Sequence, residues 1–184
     1  MSIFFLSFFA PFILYFALKK KFPSVNKIIL LSTSCILLLS PYFRTSAFWA
    51  GEENYGLITI FPAFIYYYKY LNEKSDYILK LNIILFSFFS CLSLYLDQKL
   101  LIIVIIFLYL FLKNEKKIKN IIIYFFANFI FSVPLLILIR YWGNIVASYD
   151  AAHRHVGSSF FLENIGYSST IIFFYFIPYL LLNF

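Results

Sequence analysis

The feature that most constrains this chain is its layout. Long apolar blocks recur along all 184 residues, and short clusters of lysine punctuate them. A soluble fold hides apolar residues in one core and spreads polar ones over its surface. Uninterrupted blocks are how a bilayer solvent is written into a sequence. With 63% hydrophobic and only 12% charged residues, a soluble domain of this size has too little polar surface to cover itself. The block Leu100-Leu101-Ile102-Ile103-Val104-Ile105-Ile106 does not alternate, which excludes a transmembrane barrel strand and leaves helices. The expected fold is therefore all-α: one transmembrane helix bundle covering residues 1–184.

Seven spans are expected, near 2–18, 28–43, 56–70, 78–96, 100–112, 121–139 and 168–182. The fourth and fifth have a re-entrant pair as an alternative. No basic residue precedes the first block, and Lys19-Lys20-Lys21 follows it. A cleavable secretory signal has the opposite polarity, so this block reads as a span. The run enters apolar sequence almost at Met1 and ends in it at Phe184. That suggests part of a larger multi-pass fold.

The net charge of +7 does not mark a nucleic-acid partner, because the lysines lie in clusters between apolar blocks. They act as topology signals instead. Seven spans put eleven of the fifteen basic residues on one side: Lys19, Lys20, Lys21, Lys27, Lys69, Lys74, Lys80, Lys113, Lys116, Lys117 and Lys119. By the positive-inside rule that side is cytoplasmic, which places the N-terminus outside and the C-terminus inside. The bacterial inner (plasma) membrane is the expected location. The other side collects Arg44, Lys99, Arg140 and Arg154, with Glu52, Glu53, Asp97, Asp150, Glu163, His153 and His155. Membrane insertion does not require an outer face of that kind, so functional residues are sought there.

Three outer segments stand out. Ser40 to Gly56 is read as a loop in which Arg44, Trp49, Glu52 and Glu53 meet. A guanidinium fork grips phosphate or carboxylate, and Trp49 can stack on a sugar. The plain alternative is an interfacial aromatic belt with Arg44 paired to Glu52 or Glu53. Asp97-Gln98-Lys99 separates two apolar blocks. It either caps a tight helical hairpin or offers ionisable groups at the membrane. The long segment Arg140 to Tyr167 carries His153, Arg154 and His155. Two imidazoles two residues apart suit one face of a strand, and one histidine there would serve acid–base chemistry or phosphate contact. No metal-ligand spacing is present, and Cys35 and Cys91 lie singly inside apolar blocks. No cofactor is implied. Asn128 and Pro134 are read as a polar bridge and a kink within the sixth span.

The stretch from Leu39 through Pro41-Tyr42-Phe43-Arg44-Thr45-Ser46-Ala47-Phe48-Trp49 to Glu52-Glu53-Asn54-Tyr55, with Tyr95-Leu96-Asp97-Gln98-Lys99, resembles polytopic membrane glycosyltransferases of the GT-C type. The resemblance covers residues 28–112. It implies a polyprenyl-phosphate-linked sugar as partner, handled at the outer leaflet, and cell-envelope polysaccharide as the setting. In that family the catalytic acids stand in a large loop between the first two spans. Here that connection is the basic Lys19–Lys27, so the resemblance implies the membrane portion without that loop, inactive in sugar transfer by itself. In this reading Glu52, Glu53 and Asp97 are the catalytic carboxylates. Arg44, Trp49, Gln98, Lys99, Arg140, His153, Arg154 and His155 bind substrate. The alternative is a non-enzymatic export component, such as a flippase or polysaccharide-assembly partner, using the same charges to hold lipid or glycan.

Overall fold

The computed structural model describes residues 2–49 and 52–142. Among them there is no strand. Eight α-helices follow one another: α1 (Ser2–Ser7), α2 (Phe9–Lys21), α3 (Lys27–Leu39), α4 (Pro41–Trp49), α5 (Glu52–Asn72), α6 (Asp76–Leu96), α7 (Leu101–Asn114) and α8 (Ile118–Trp142), with a 3₁₀ turn, Gln98–Leu100, before α7. The chain divides into two units, Met1–Ile137 and Leu138–Phe184, and the helix bundle belongs to the first.

Proline sets several of the breaks. The expected first span is interrupted at Phe8, because Pro11 lacks the N–H that would bond Ser7 and its ring crowds that carbonyl. Pro23 lies just past the end of α2, and Pro41 opens α4, where a missing N–H is harmless. Lys19, Lys20 and Lys21 occupy the last turn of α2, a favourable place for cations. Asn26 caps α3, its side chain accepting from the Ile28 N–H at 2.9 Å.

Side-chain contacts give the direction of each helix. Asn54, at the start of α5, donates to the Ser7 hydroxyl, and Lys21, at the end of α2, lies over the Tyr68 ring. These two helices therefore run the same way. α6 returns antiparallel: Gly56 abuts Asp97 at one end, and Tyr66 stacks on Phe89 further along. α7 runs with α5, pairing Phe64 with Phe107 and Tyr70 with Phe111. α8 runs with α6, placing Tyr124 on Phe86 and Phe131 on Phe88. The α2–α3, α5–α6 and α7–α8 connections, which carry most of the lysines, thus fall at one end.

The core is aromatic. Phe86, Phe107 and Phe111 are fully buried beside Tyr67, Tyr70 and Tyr124. Offset and edge-on ring pairs contribute about 0.5–1.5 kcal/mol each beyond area burial. α5 and α6 make the most extensive helix pair; Gly56 and Ala63 on α5 and Ser87, Ser90 and Ser93 on α6 are small and buried, which lets backbones approach.

Outward, the molecule is greasy. Phe12, Ile28, Ile102, Phe126 and Phe129 are exposed. Two helical stretches, Asp76–Leu96 and Ile118–Leu138, are long and apolar enough to cross a membrane, with mean hydropathies of 1.8 and 2.4. α3 and α7 are shorter apolar helices. The 14 residues of α7 rise only about 21 Å at ~1.5 Å each. The expected span at 168–182 lies outside the described residues.

Candidate functional site

The segment from Ser40 to Gly56, expected as a loop, is mostly helical. α4 takes up Arg44 and Trp49, and α5 begins at Glu52. Pro41 pre-sets the first turn of α4, and the Ser40 hydroxyl accepts from the Phe43 N–H at 3.2 Å, so the serine caps that helix.

Asn54 then joins three elements. Its Nδ2 donates to the Phe43 carbonyl at 3.0 Å and to the Ser7 hydroxyl at 3.1 Å, while its buried Oδ1 has no protein partner. A carbonyl accepts only, so the contact with Phe43 also fixes which way the amide points. Arg44, next along α4, is exposed.

Two residues further along α5, Gly56 meets the corner between α6 and α7. A methyl group built on Gly56 would stand 2.7 Å from Asp97 Cβ and 2.9 Å from Leu100 Cδ1. Only glycine fits that contact. Asp97 is buried, and its backbone N–H closes α6 onto Ser93 while Oδ1 accepts from the Lys99 N–H at 3.0 Å. Asp97 thus ends α6 and caps the 3₁₀ turn that leads into α7, as the hairpin-cap alternative expects. Gly56 sets the start of α5 against the Asp97 corner, while Arg44 lies on α4, which Asn54 joins to α5. Arg140 lies exposed near the end of α8, in the second unit. His153, Arg154 and His155 lie outside the described residues. Among the described residues no three His, Cys, Asp or Glu side chains converge as metal ligands.

Other polar groups were not expected from the sequence. At the lysine-bearing end, Glu115 Oε2 accepts from the Tyr70 hydroxyl at 2.9 Å and from Asn120 Nδ2 at 2.7 Å, and Oε1 accepts from the Lys117 N–H at 2.8 Å. Burial alone would raise this carboxyl, yet the converging donors hold it below its ordinary value. Asn114 Nδ2 donates to the Tyr67 hydroxyl at 2.9 Å beside it. Inside the bundle, Asn128 donates to the Ser87 hydroxyl and accepts from the Cys91 thiol at 3.4 Å, the polar bridge expected of it. Glu115 stands in the run Lys113 to Lys119 and was hidden by its basic neighbours. The one acid in that cluster was the available signal.

Compared with protein-family models, with curated proteins and with solved structures, the chain matches none.

Proposed function

We propose that this is a seven-span protein of a bacterial plasma membrane, lysine-bearing end inward, that handles a polyprenyl-phosphate-linked sugar at its outer end in the manner of GT-C glycosyltransferases. The single observation that carries the reading is the Gly56–Asp97 contact. It sets a buried carboxylate one helical turn from Glu52 and Glu53, on the element that also holds Arg44's helix through Asn54. A phosphate on a lipid carrier needs cations that can stay in place at an interface. Arg44 and Lys99 are assigned that role, with Arg140 and Arg154 placed on the same side by the span count. Glu52, Glu53 and Asp97 are then the carboxylates nearest the sugar, the type of group that serves as general base toward an acceptor hydroxyl. The chain by itself is expected to bind the lipid phosphate without transferring sugar. Trp49 and Gln98 are assigned to the sugar, and His153 or His155 to the phosphate. The greasy outer surface and the two membrane-length helices support the membrane setting.

The test is a titration of the full chain in nanodiscs with a short-chain polyprenyl phosphate. Arg44→Ala is expected to weaken binding about ten- to hundred-fold, the loss of one charge-assisted contact. Lys116→Ala, at the other end, is expected to leave it unchanged. Equal binding by the two variants would remove the outer site.

A further inference from the structure

At the lysine-bearing end, two cavities open on either side of α5. One, of about 650 Å³, lies against α2 and is lined by Phe16, Lys19, Lys20, Ile65, Lys69 and Asn72. The second, of about 540 Å³, shares Lys20, Lys69 and Asn72 and runs to Asn82 and Leu85 of α6. Among the described residues, none of Lys19, Lys20 and Lys69 has a carboxylate within ion-pair distance. Lys69 instead rests 4.7 Å above the Tyr66 ring. Glu73 also lines the second cavity, but its Oε1 already accepts from the Lys74 and Ser75 N–H groups, so it shapes the α5–α6 turn.

Asn82 points to a ligand independently of the lysines. It is 4% exposed, and its Nδ2 has no hydrogen-bond partner although it borders this cavity. A buried amide donor left unpaired is costly, and an acceptor in the cavity would remove that cost. The spacing supplies the rest of the ligand. Lys20 follows Phe16 by four residues on α2, and Lys69 follows Ile65 by four on α5. Each cation therefore stands one helical turn beyond an apolar residue of the same cavity. Phe12 and Phe16 on α2 continue the apolar surface away from Lys19 and Lys20.

We infer that this double cavity binds the headgroup of an anionic glycerophospholipid: the phosphate between Lys20, Lys69 and Asn82, the acyl chains along Phe16 and Ile65. The inference uses the membrane placement proposed above but not the sugar chemistry, so loss of the outer site would leave it standing. It also differs from a general attraction of lysines to an anionic surface, because it singles out two of them and one uncharged residue.

The experiment takes the full chain from phosphatidylcholine vesicles with or without phosphatidylglycerol and counts retained lipid by native mass spectrometry. The unmodified chain is expected to retain phosphatidylglycerol over phosphatidylcholine. The Lys20→Gln, Lys69→Gln double variant should lose affinity about ten- to thirty-fold, on roughly fivefold per lysine at an anionic surface. Lys27→Gln, at the same end but off the cavity, should match the unmodified chain. Asn82→Leu removes the unpaired donor, so it should fold at least as well and still retain less phosphatidylglycerol. This second variant decides the matter if the double variant fails to fold. Equal losses in Lys27→Gln, full retention in Asn82→Leu, or no lipid preference in the unmodified chain would each overturn the site. Displacement of the lipid by glycerol phosphate at equal concentration would overturn the lipid as its source.

Discussion

The Tyr95 hydroxyl sits inside the hydrogen-bond ladder of α8: it donates to the Phe131 carbonyl at 2.6 Å and accepts from the Leu135 N–H at 2.8 Å. In an unbroken helix those two backbone groups would bond each other. Pro134 stands between them and has no N–H to offer Ile130. The Tyr95 hydroxyl from α6 gives the two backbone groups beside that missing bond a partner. In an apolar surrounding an unpaired backbone group is costly, so the proline and the tyrosine form one device.

Tyr95 and Pro134 should therefore be coupled. Tyr95→Phe leaves both backbone groups unpaired and is expected to lower stability by about 1–3 kcal/mol. In a Pro134→Ala background the ladder can close by itself, and the same substitution should cost much less. Thermal unfolding of the four proteins in detergent gives the double-mutant cycle. Strictly additive effects would show that the hydroxyl does not substitute for the missing rung.

Gly56 offers a second test. Adding one methyl there meets Asp97 Cβ and Leu100 Cδ1 closer than carbon atoms approach each other, and Asp97 is held at both ends by its corner. Gly56→Ala should therefore destabilise by about 1–3 kcal/mol through overpacking, although alanine is the better helix former. It should also weaken polyprenyl phosphate binding by shifting the corner away from α4. A variant as stable as the parent would mean that α5 and α6 are free to part at this end.

Much of this architecture was legible in the sequence, and for a physical reason. Apolar blocks such as 78–96 and 121–139 match α6 and α8 because in lipid, or in a core this apolar, the backbone must satisfy itself locally. Asn128 announced a bridge, since an amide within an apolar block needs partners. The segment from Ser40 to Gly56 misled because its polar residues imitate a loop, whereas Ser40 and Pro41 start one helix and Glu52 another. The contacts of Tyr95, Asn82 and Glu115 were not legible, although Glu115 stood out as the one acid among its lysines. Their roles depend on what an unrelated helix places opposite them, and no spacing within one segment encodes that.

Glu115 makes stability depend on pH. Its folded carboxyl is held below its ordinary value, so the folded state releases the proton more readily than the unfolded chain. The contribution is complete above the ordinary carboxylate range and disappears as pH falls through the lowered folded value. Melting temperature should thus decline on acidification below about pH 4.5. Glu115→Gln should be less stable at neutral pH, by about 1–3 kcal/mol, because its NH2 group must face either the Lys117 N–H or the Tyr70 and Asn120 donors. The gap between the two proteins should narrow as the parent is acidified. A constant gap would assign the stabilisation to packing alone.

The orientation of the bundle is the prediction on which the proposed function depends most. Lys21 lies over Tyr68, Lys20 and Lys69 share a cavity, and the carboxylate of Asp76 pairs with Lys80 at 2.7 Å, so the α2–α3 and α5–α6 connections meet at one end. Glu115 bonded to Tyr70 brings the α7–α8 connection, with Lys113, Lys116, Lys117 and Lys119, to that same end. Moving so many ammonium groups across a bilayer is far costlier than leaving them where the chain was made, so this end is expected to face the cytoplasm. Lys116→Cys, in a background where Cys35→Ser and Cys91→Ser remove the native thiols, should resist an impermeant maleimide in intact cells and react once the membrane is opened. Thr45→Cys, an exposed position on α4 at the other end, should react from outside in intact cells. Labelling of position 116 from outside would reverse the bundle, and the arginine-bearing end would then lie on the wrong side for a lipid-linked sugar presented at the outer leaflet.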